Sequence, residues 1–249
     1  AYNDSRADIT LLESQHALEQ LESDGAHSSR RIVTGRLAHD RLALARTGLI
    51  GRRAALQRAH GLDRDLPLVV ASVTPDKFAV YGAQTEFSSY REMLEFWVET
   101  MTGSRRCTVL ASVHPSQPVE TLGFLERPGF AISRQPLAEI LPLAELFVVD
   151  CSATSRLAAA SGIPVLDYDL YGFDLKFNQV GKGLVHVRSR AQFSAVWRDL
   201  WQKPDQLLEL KAAQVSNASE FGVLDGGAGR RIAEAIIALF SKSEVDRIR

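Results

Sequence analysis

The sequence predicts an α/β protein with a mostly parallel sheet and helices on both of its faces. Short continuous apolar runs, such as LVVASV at 68–73 and LFVV at 146–149, recur from residue 68 onward. Such runs are typical of strands buried on both faces. Segments with helical spacing alternate with these runs, and that alternation favours β/α units over hairpins.

The amino-terminal part contains a single predicted strand–helix–strand unit, whereas a doubly wound domain needs several. We therefore expect residues 1–35 to be the remnant of an N-terminal domain whose earlier part is absent. Residues 36–66 predict a basic, Ala/Leu-rich helical linker. Its arginines suit either a solvated connecting helix or an anion-binding surface.

The main sheet domain is predicted at residues 67–240, followed by a tail at 241–249. Its first strand, at 68–73, is followed by a long loop at 74–87. Ser89 and Glu92 then form a capping box that predicts the start of an amphipathic helix. The next strand, CTVLASV at 107–113, leads directly into His114 and Pro115.

The clearest β/α unit lies between residues 145 and 172. Its parts are a strand, a hydroxyl-rich turn, a helix and a second strand, at 146–149, 151–155, 156–161 and 163–167. Gly162 ends the helix as a C′ glycine would. So short a connection fits a parallel crossover. A further strand at 184–187 and helices at 189–200, 206–214 and 232–240 complete the domain.

Composition excludes several functions. The net charge of −1 gives no electrostatic case for nucleic acid or for an acidic membrane surface. The sequence has no apolar run long enough to span a membrane and no visible signal peptide, so a cytoplasmic location is expected. Cys107 and Cys151 lie in or beside predicted strands and are expected to be buried, reduced thiols.

Four loops follow predicted strands and should meet at one edge of the sheet, where open α/β sheets bind ligands. They are Thr74–Asp76, His114–Pro115, Ser152–Ser155 and Asp167–Tyr171. His114 could bind a phosphate or a sugar hydroxyl or act as an acid or base. The alternative is a strand-end histidine that bonds to neighbouring backbone.

Ser152, Thr154 and Ser155 could donate hydrogen bonds to phosphate oxygens, although Ser and Thr also simply cap helices. Asp150 is expected to be structural, because a carboxylate repels phosphate unless a metal or a sugar hydroxyl lies between them. Asp167 and Asp169 lack a third ligand spaced for a metal, so contacts to sugar hydroxyls are favoured and no metal site is predicted. Walker A, GxSxG, HExxH and CxxC patterns are absent.

These landmarks, in their order, resemble the carboxyl half of GT-B fold enzymes. They are VTG at 33–35 with Asp40, VVASV at 69–73, His114–Pro115, the turn after Asp150, and FGVLDGGAGRRIAEAI at 221–236. The pattern is most similar to bacterial CDP-glycerol glycerophosphotransferases and capsule-polysaccharide transferases, which carry an HP pair and a D-x-S-S/T-like turn at the nucleotide site. Here the turn is SATS.

The resemblance implies that residues 67–240 form a Rossmann-like domain that binds a nucleotide-activated sugar or polyol phosphate, with no cofactor. The polypeptide would belong to a longer transferase of cell-surface polysaccharide synthesis. The nucleotide and phosphate ligands would be Thr74, His114, Pro115, Ser152, Thr154 and Ser155. Asp167 and Asp169 would contact the sugar, and His114 is the one catalytic candidate. With the N-terminal acceptor domain missing, binding would be weak. The resemblance also implies peripheral membrane association of the full-length protein.

Two alternatives stay open. UDP-N-acetylglucosamine 2-epimerases share this fold half and the VTG…D and DG…RI landmarks, but VTPDK stands at 73–77 where their HRxEN signature would be. A non-catalytic interaction domain would keep the sheet and close its edge with side chains such as Tyr168 or Tyr171.

Overall fold

The computed structural model describes residues 7–23, 30–176 and 179–247, with side chains described as far as residue 240. The amino-terminal unit is a two-stranded parallel sheet: β1 (Thr10–Leu12) pairs with β2 (Arg31–Val33). Helix α1 (Gln15–Ser23) lies between them in the sequence. The predicted strand–helix–strand is therefore confirmed, while its origin as the remnant of a larger domain stays a prediction.

The linker is helical, as the sequence predicts, and consists of two helices. α2 (Leu37–Ala45) and α3 (Leu49–Ala59) are separated by Gly48, which has a φ of +62°. A left-handed residue ends a right-handed helix, and glycine adopts this conformation without a steric cost. The break lets the two helices pack separately against one face of the main sheet.

The main sheet has six parallel strands in the order β5-β4-β3-β6-β7-β8. The strands are β3 (Leu68–Val73), β4 (Thr108–Val113), β5 (Phe130–Ser133), β6 (Leu146–Val149), β7 (Val165–Tyr168) and β8 (Leu184–Val187). This doubly wound, Rossmann-like order confirms the predicted fold class. The chain starts at the centre, builds outward to β5, then returns to β6 on the other side of β3.

The remaining helices follow or join these strands. They are α4 (Phe78–Tyr81), α5 (Tyr90–Gly103), α6 (Leu137–Ile140), α7 (Ser155–Ala160), α8 (Arg190–Gln202), α9 (Pro204–Phe221) and α10 (Ala228–Arg247). The predicted loop at 74–87 contains α4 and a short 3₁₀ turn. α10 extends beyond the predicted boundary at residue 240, so the predicted tail is largely helical.

Helices cover both faces of the sheet, as predicted. Along β3, Val69 and Ala71 belong to the core under α5 and α8, whereas Val70 belongs to the opposite core under α2 and α3. This alternation follows from the two-residue period of a strand. Neither Cys107 nor Cys151 forms a disulfide bond, and both are buried, as predicted. No helix in the described ranges is both long and apolar enough to cross a membrane.

Candidate functional site

The candidate site lies at the carboxyl ends of β3, β4, β6 and β7. β3 and β6 are neighbours at the centre of the sheet, with β4 and β7 on either side. The chain leaves β3 in one direction and β6 in the other, which makes the gap between them the topological switch point. His114 follows β4 and Thr154 follows β6, so both lie at this edge, about two strand spacings or ~10 Å apart along it.

A polar pair spans the switch point. The Thr74 hydroxyl, just after β3, donates to Asp150 Oδ2 at 2.9 Å, just after β6. Leu170 N donates to Asp150 Oδ1 at 3.2 Å from the loop after β7. On the other side, the Tyr90 hydroxyl donates to the Thr74 carbonyl at 2.6 Å. Asp150 thus links three of the loops at this edge, a structural role that matches the expectation from sequence.

Asp150 is buried, and burial raises the pKa of its carboxyl to about 7. The hydrogen bonds from Thr74 and Leu170 favour the ionised form, but they do not offset desolvation, to which the nearby Asp169 and Asp167 carboxylates add. This carboxyl therefore takes up a proton at a higher pH than an ordinary aspartate does. A protonated carboxyl repels an anion far less than a carboxylate does.

The hydroxyl turn after β6 is internally bonded. Ser152 Oγ accepts from Thr154 N at 3.3 Å and from Thr154 Oγ1 at 3.1 Å. Thr154 stands at the N-cap of α7 without a side-chain capping bond, and Ser155 is the first residue of that helix and fully buried. Ser152 and Thr154 are thus half-buried and partly open to solvent, while Ser155 faces the interior.

Cys151 sets the shape of this turn through an unusual backbone. Its φ is +39°, a conformation that a side chain bearing a Cβ rarely adopts. Asp167 Oδ1 accepts from Cys151 N at 2.7 Å and holds the strained residue in place. Burial raises the pKa of the Cys151 thiol to about 12, which makes it unsuited to nucleophilic chemistry.

The two predicted sugar-binding carboxylates, Asp167 and Asp169, are both 1% exposed. Asp167 Oδ2 lies 2.9 Å from His186 Nδ1, and burial raises the pKa of Asp167. Asp169 accepts from the backbone N–H groups of Phe173 and Asp174 at 2.8 and 2.7 Å. These contacts shape the loop after β7, and contact with a sugar stays a prediction.

His186 is a residue that sequence reasoning missed. It lies in β8 directly opposite Asp167 in β7, so their contact follows from strand register. Arg188 Nε donates to His186 Nε2 at 3.1 Å and extends the chain of polar contacts to the surface. Polar residues at 167 and 186, each within a short apolar run, were the available signal, but register cannot be derived from either run alone.

His114 and Pro115 are exposed at the same edge. The His114 ring accepts from Ser116 N at 3.2 Å through Nδ1, which also lies 2.8 Å from Ser116 Oγ. This is the contact to neighbouring backbone that the alternative interpretation of His114 predicts. It leaves Nε2 available toward solvent or a ligand. The histidine is therefore placed for either role.

Tyr171 covers part of the edge. It is fully buried, and its hydroxyl accepts from Lys77 N at 3.3 Å, so it joins the loops after β7 and β3. Tyr168 instead packs inside, stacked on Phe193 with ring centroids 4.9 Å apart. Within the part of the chain that is described, no group of three or more His, Cys, Asp or Glu side chains is arranged to hold a metal ion.

Comparisons with known proteins give the fold. No family model and no curated protein sequence matches this chain. Among solved structures, the wall teichoic acid polymerase TagF matches with a TM-score of 0.60 and 12% identity, over 95% of this chain and 58% of that one. A putative UDP-N-acetylglucosamine 2-epimerase from Listeria monocytogenes matches with a TM-score of 0.59 and 17% identity, over 95% and 61%.

The UDP-GlcNAc 2-epimerase from Neisseria meningitidis, solved with UDP-GlcNAc bound, matches with a TM-score of 0.62 and 13% identity, over 93% of this chain and 62% of that one. These neighbours share the GT-B fold. This chain has the same fold. The matched region is 58%, 61% and 62% of the length of these three structures, so this chain spans about 60% of each.

Proposed function

We propose that the carboxyl edge of the sheet binds the diphosphate of a nucleotide-activated donor, for transfer of a sugar or polyol phosphate in cell-surface polysaccharide synthesis. The observation that carries this proposal is the meeting of Thr74, Asp150 and the hydroxyl turn at the topological switch point. The likeness to TagF and to an epimerase solved with UDP-GlcNAc supports the same class of ligand.

In this proposal the Ser152 and Thr154 hydroxyls turn from each other toward phosphate oxygens. Their present mutual contact, at 3.1 Å, is an uncharged hydrogen bond, and bonds to charged phosphate oxygens are stronger. Asp150 stays close to this position with a pKa of about 7, so a bound phosphate favours its protonated form. The walls of the proposed phosphate site are formed by Thr74, Pro115 and the buried Ser155.

His114 supplies the acid–base function in this proposal, because its Nε2 faces away from the local Ser116 contact. The acceptor side and any further catalytic group belong to other parts of a longer, cytoplasmic enzyme, in which peripheral membrane association brings the acceptor close. The donor is the substrate, so the site uses no cofactor and no nucleic acid.

Calorimetric titration of the 249-residue chain with CDP, UDP and GDP tests this proposal. The double variant Ser152→Ala/Thr154→Ala should weaken binding by about 1–3 kcal/mol for each lost bond to phosphate. Its melting temperature should barely move, because both hydroxyls are partly exposed. Thr47→Ala/Ser216→Ala removes two exposed hydroxyls elsewhere and serves as the matched control. Absence of heat with every nucleotide at millimolar concentration would contradict the proposal.

An epimerase-like hydrolysis of a nucleotide sugar is the second candidate. The Listeria and Neisseria epimerases match this chain with TM-scores similar to that of TagF, which favours keeping this candidate. The missing HRxEN signature argues against it. Incubation of the longer parent protein with UDP-GlcNAc separates the two, since release of UDP without any acceptor supports the epimerase class.

A non-catalytic interaction domain is the third candidate. The observation in its favour is Tyr171, which is buried and bonded to Lys77 N across the edge. Tyr171→Phe removes this bond and keeps the ring. If the edge is a closed surface, neither the unmodified 249-residue chain nor this variant will bind a nucleotide. If it is a donor site, both will bind.

A further inference from the structure

His39, on α2, is a buried imidazole without a partner. The side chain is fully buried, and neither Nδ1 nor Nε2 has a hydrogen-bond partner within the described residues. Buried polar atoms in proteins are nearly always paired, so such an atom demands an explanation. A neutral imidazole tolerates this environment at a moderate cost, whereas an imidazolium ion without a partner is much costlier to bury.

The ring is wedged between three segments of the chain. It lies against Gly222 at the end of α9, where an added Cβ would come within 2.5 Å of the ring. Gly35, after β2, has its missing Cβ position 3.6 Å from His39 Nδ1 and 3.0 Å from Ala228 Cβ at the start of α10. His39 therefore fills the junction at which α10 meets the amino-terminal unit.

Four charged groups face His39, and each carboxylate among them already has partners. Asp40 accepts from Ala228 N and Gly229 N at 2.8 and 2.7 Å, which caps the first turn of α10. Glu13 pairs with Arg36 at 2.8 Å and Arg156 at 2.6 Å. Arg231 donates to the Thr34 carbonyl at 2.8 Å. A charged His39 ring would have to compete with these partners for a carboxylate.

We propose that His39 is a proton-triggered switch: protonation makes its ring compete for Asp40 and Glu13, and so releases the start of α10 and the β1–α1–β2 unit from each other. Loss of Asp40 would leave the Ala228 and Gly229 N–H groups uncapped. Loss of Glu13 would remove its ion pair with Arg156 on α7, which also donates to Gln20. Either exchange loosens the same junction, so both lead to one opened state.

The sign of the effect follows from linkage. Burial lowers the pKa of His39, and the Arg36 and Arg231 charges lower it further against the opposing effect of Glu13 and Asp40. A free imidazole has a pKa of about 6.5. Above that pH, His39 is neutral in both the closed and the opened state. As the pH falls below it, the opened state binds the proton first, so acid favours opening.

Hydrogen exchange on the whole chain tests the switch without any ligand. Peptides covering 222–235 and 30–36 should open more readily at about pH 5.5 than at about pH 7.5, after correction for intrinsic exchange rates. Because a free imidazole has a pKa of about 6.5, one histidine can favour the opened state by at most about tenfold between these two pH values, so we expect a severalfold increase in opening. Peptides from β3 (68–73) should not respond.

Variants distinguish a switch from general acid sensitivity. His39→Met keeps a side chain of similar size that does not titrate, and it should abolish the response; His39→Gln provides the same test if the Met variant fails to fold. His60→Gln and His16→Gln, the latter beside Phe221, should keep the response. Equal protection at both pH values, or a response that survives in a folded His39 variant, overturns the proposal. Nucleotide binding is not needed for any outcome.

Discussion

The carboxyl edge and the α10 junction each bury a titratable group, but they treat it in opposite ways. At the edge, Asp150 accepts hydrogen bonds from Thr74 and Leu170. At the junction, His39 has no partner within the described ranges. Burial favours the neutral form of both, raising the pKa of Asp150 and lowering the pKa of His39. Falling pH therefore stabilises the folded edge and destabilises the junction.

The two regions differ in whether their buried polar groups have hydrogen-bond partners. Each of the three buried carboxylates at the edge accepts from a backbone N–H group, and these contacts give the loops one conformation. The junction relies on close packing around an unpaired ring instead. Paired groups resist perturbation as long as both partners remain, whereas packed, unpaired groups respond to any gain of charge.

The largest expected effect comes from a substitution at the carboxyl edge of the sheet. Asp169→Ala removes the acceptor for Phe173 N and Asp174 N, and two backbone N–H groups lose a charged partner. We expect the free energy of unfolding to fall by about 3 kcal/mol. Urea denaturation measures this. Asp65→Ala, at an exposed turn, is the control and should leave stability nearly unchanged. An equal loss in both variants would contradict the role given to Asp169.

The next effect tests packing at the junction. Gly222→Ala places a methyl group 2.5 Å from the His39 ring, and overpacking of this kind costs about 1–3 kcal/mol. His39→Ala alone should also destabilise, because it leaves a cavity. The double variant should be more stable than the sum of the two losses predicts. Strict additivity in this thermodynamic cycle would show that the two residues do not touch.

A pH-dependent effect sharpens the contrast between the two regions. Asp150→Asn supplies a neutral amide of the same shape, whose oxygen can accept from Leu170 N and whose NH2 group can donate to the Thr74 hydroxyl. In the unmodified chain Asp150 contributes stability that is present below its unfolded pKa of about 4 and is lost as the pH rises through about 7. The variant should lack this loss. The free energy of unfolding is measured for both proteins across that pH range. The value for the variant minus the value for the unmodified chain should increase with pH.

Local features were well predicted from the sequence. The apolar runs at 68–73 and 146–149 became central strands, and Ser89 caps α5 by accepting from Glu92 N at 3.1 Å. The second half of that capping box differs, since the Glu92 carboxylate accepts from Ser88 N instead. Gly48 was not recognised as a helix break, because a glycine inside an Ala/Leu-rich pattern is compatible with a helix until its φ is known.

The candidate site was predicted in outline. Four polar loops after four apolar runs were expected to converge, and the parallel order brings them to one edge. The contacts within the edge were not predictable in this way. Thr74 and Asp150 are 76 residues apart, and Asp167 and His186 are 19 apart, so their pairing depends on strand order and register.

The sequence by itself determined which segments are strands and helices and which strand ends carry polar side chains, because burial pattern and backbone preference are properties of short stretches. Only the tertiary structure decided which polar groups are satisfied. Asp40 caps a helix 188 residues away, while its neighbour His39 is packed against Gly222 without a partner. Such pairing depends on how distant segments meet, and no local stretch encodes that arrangement alone.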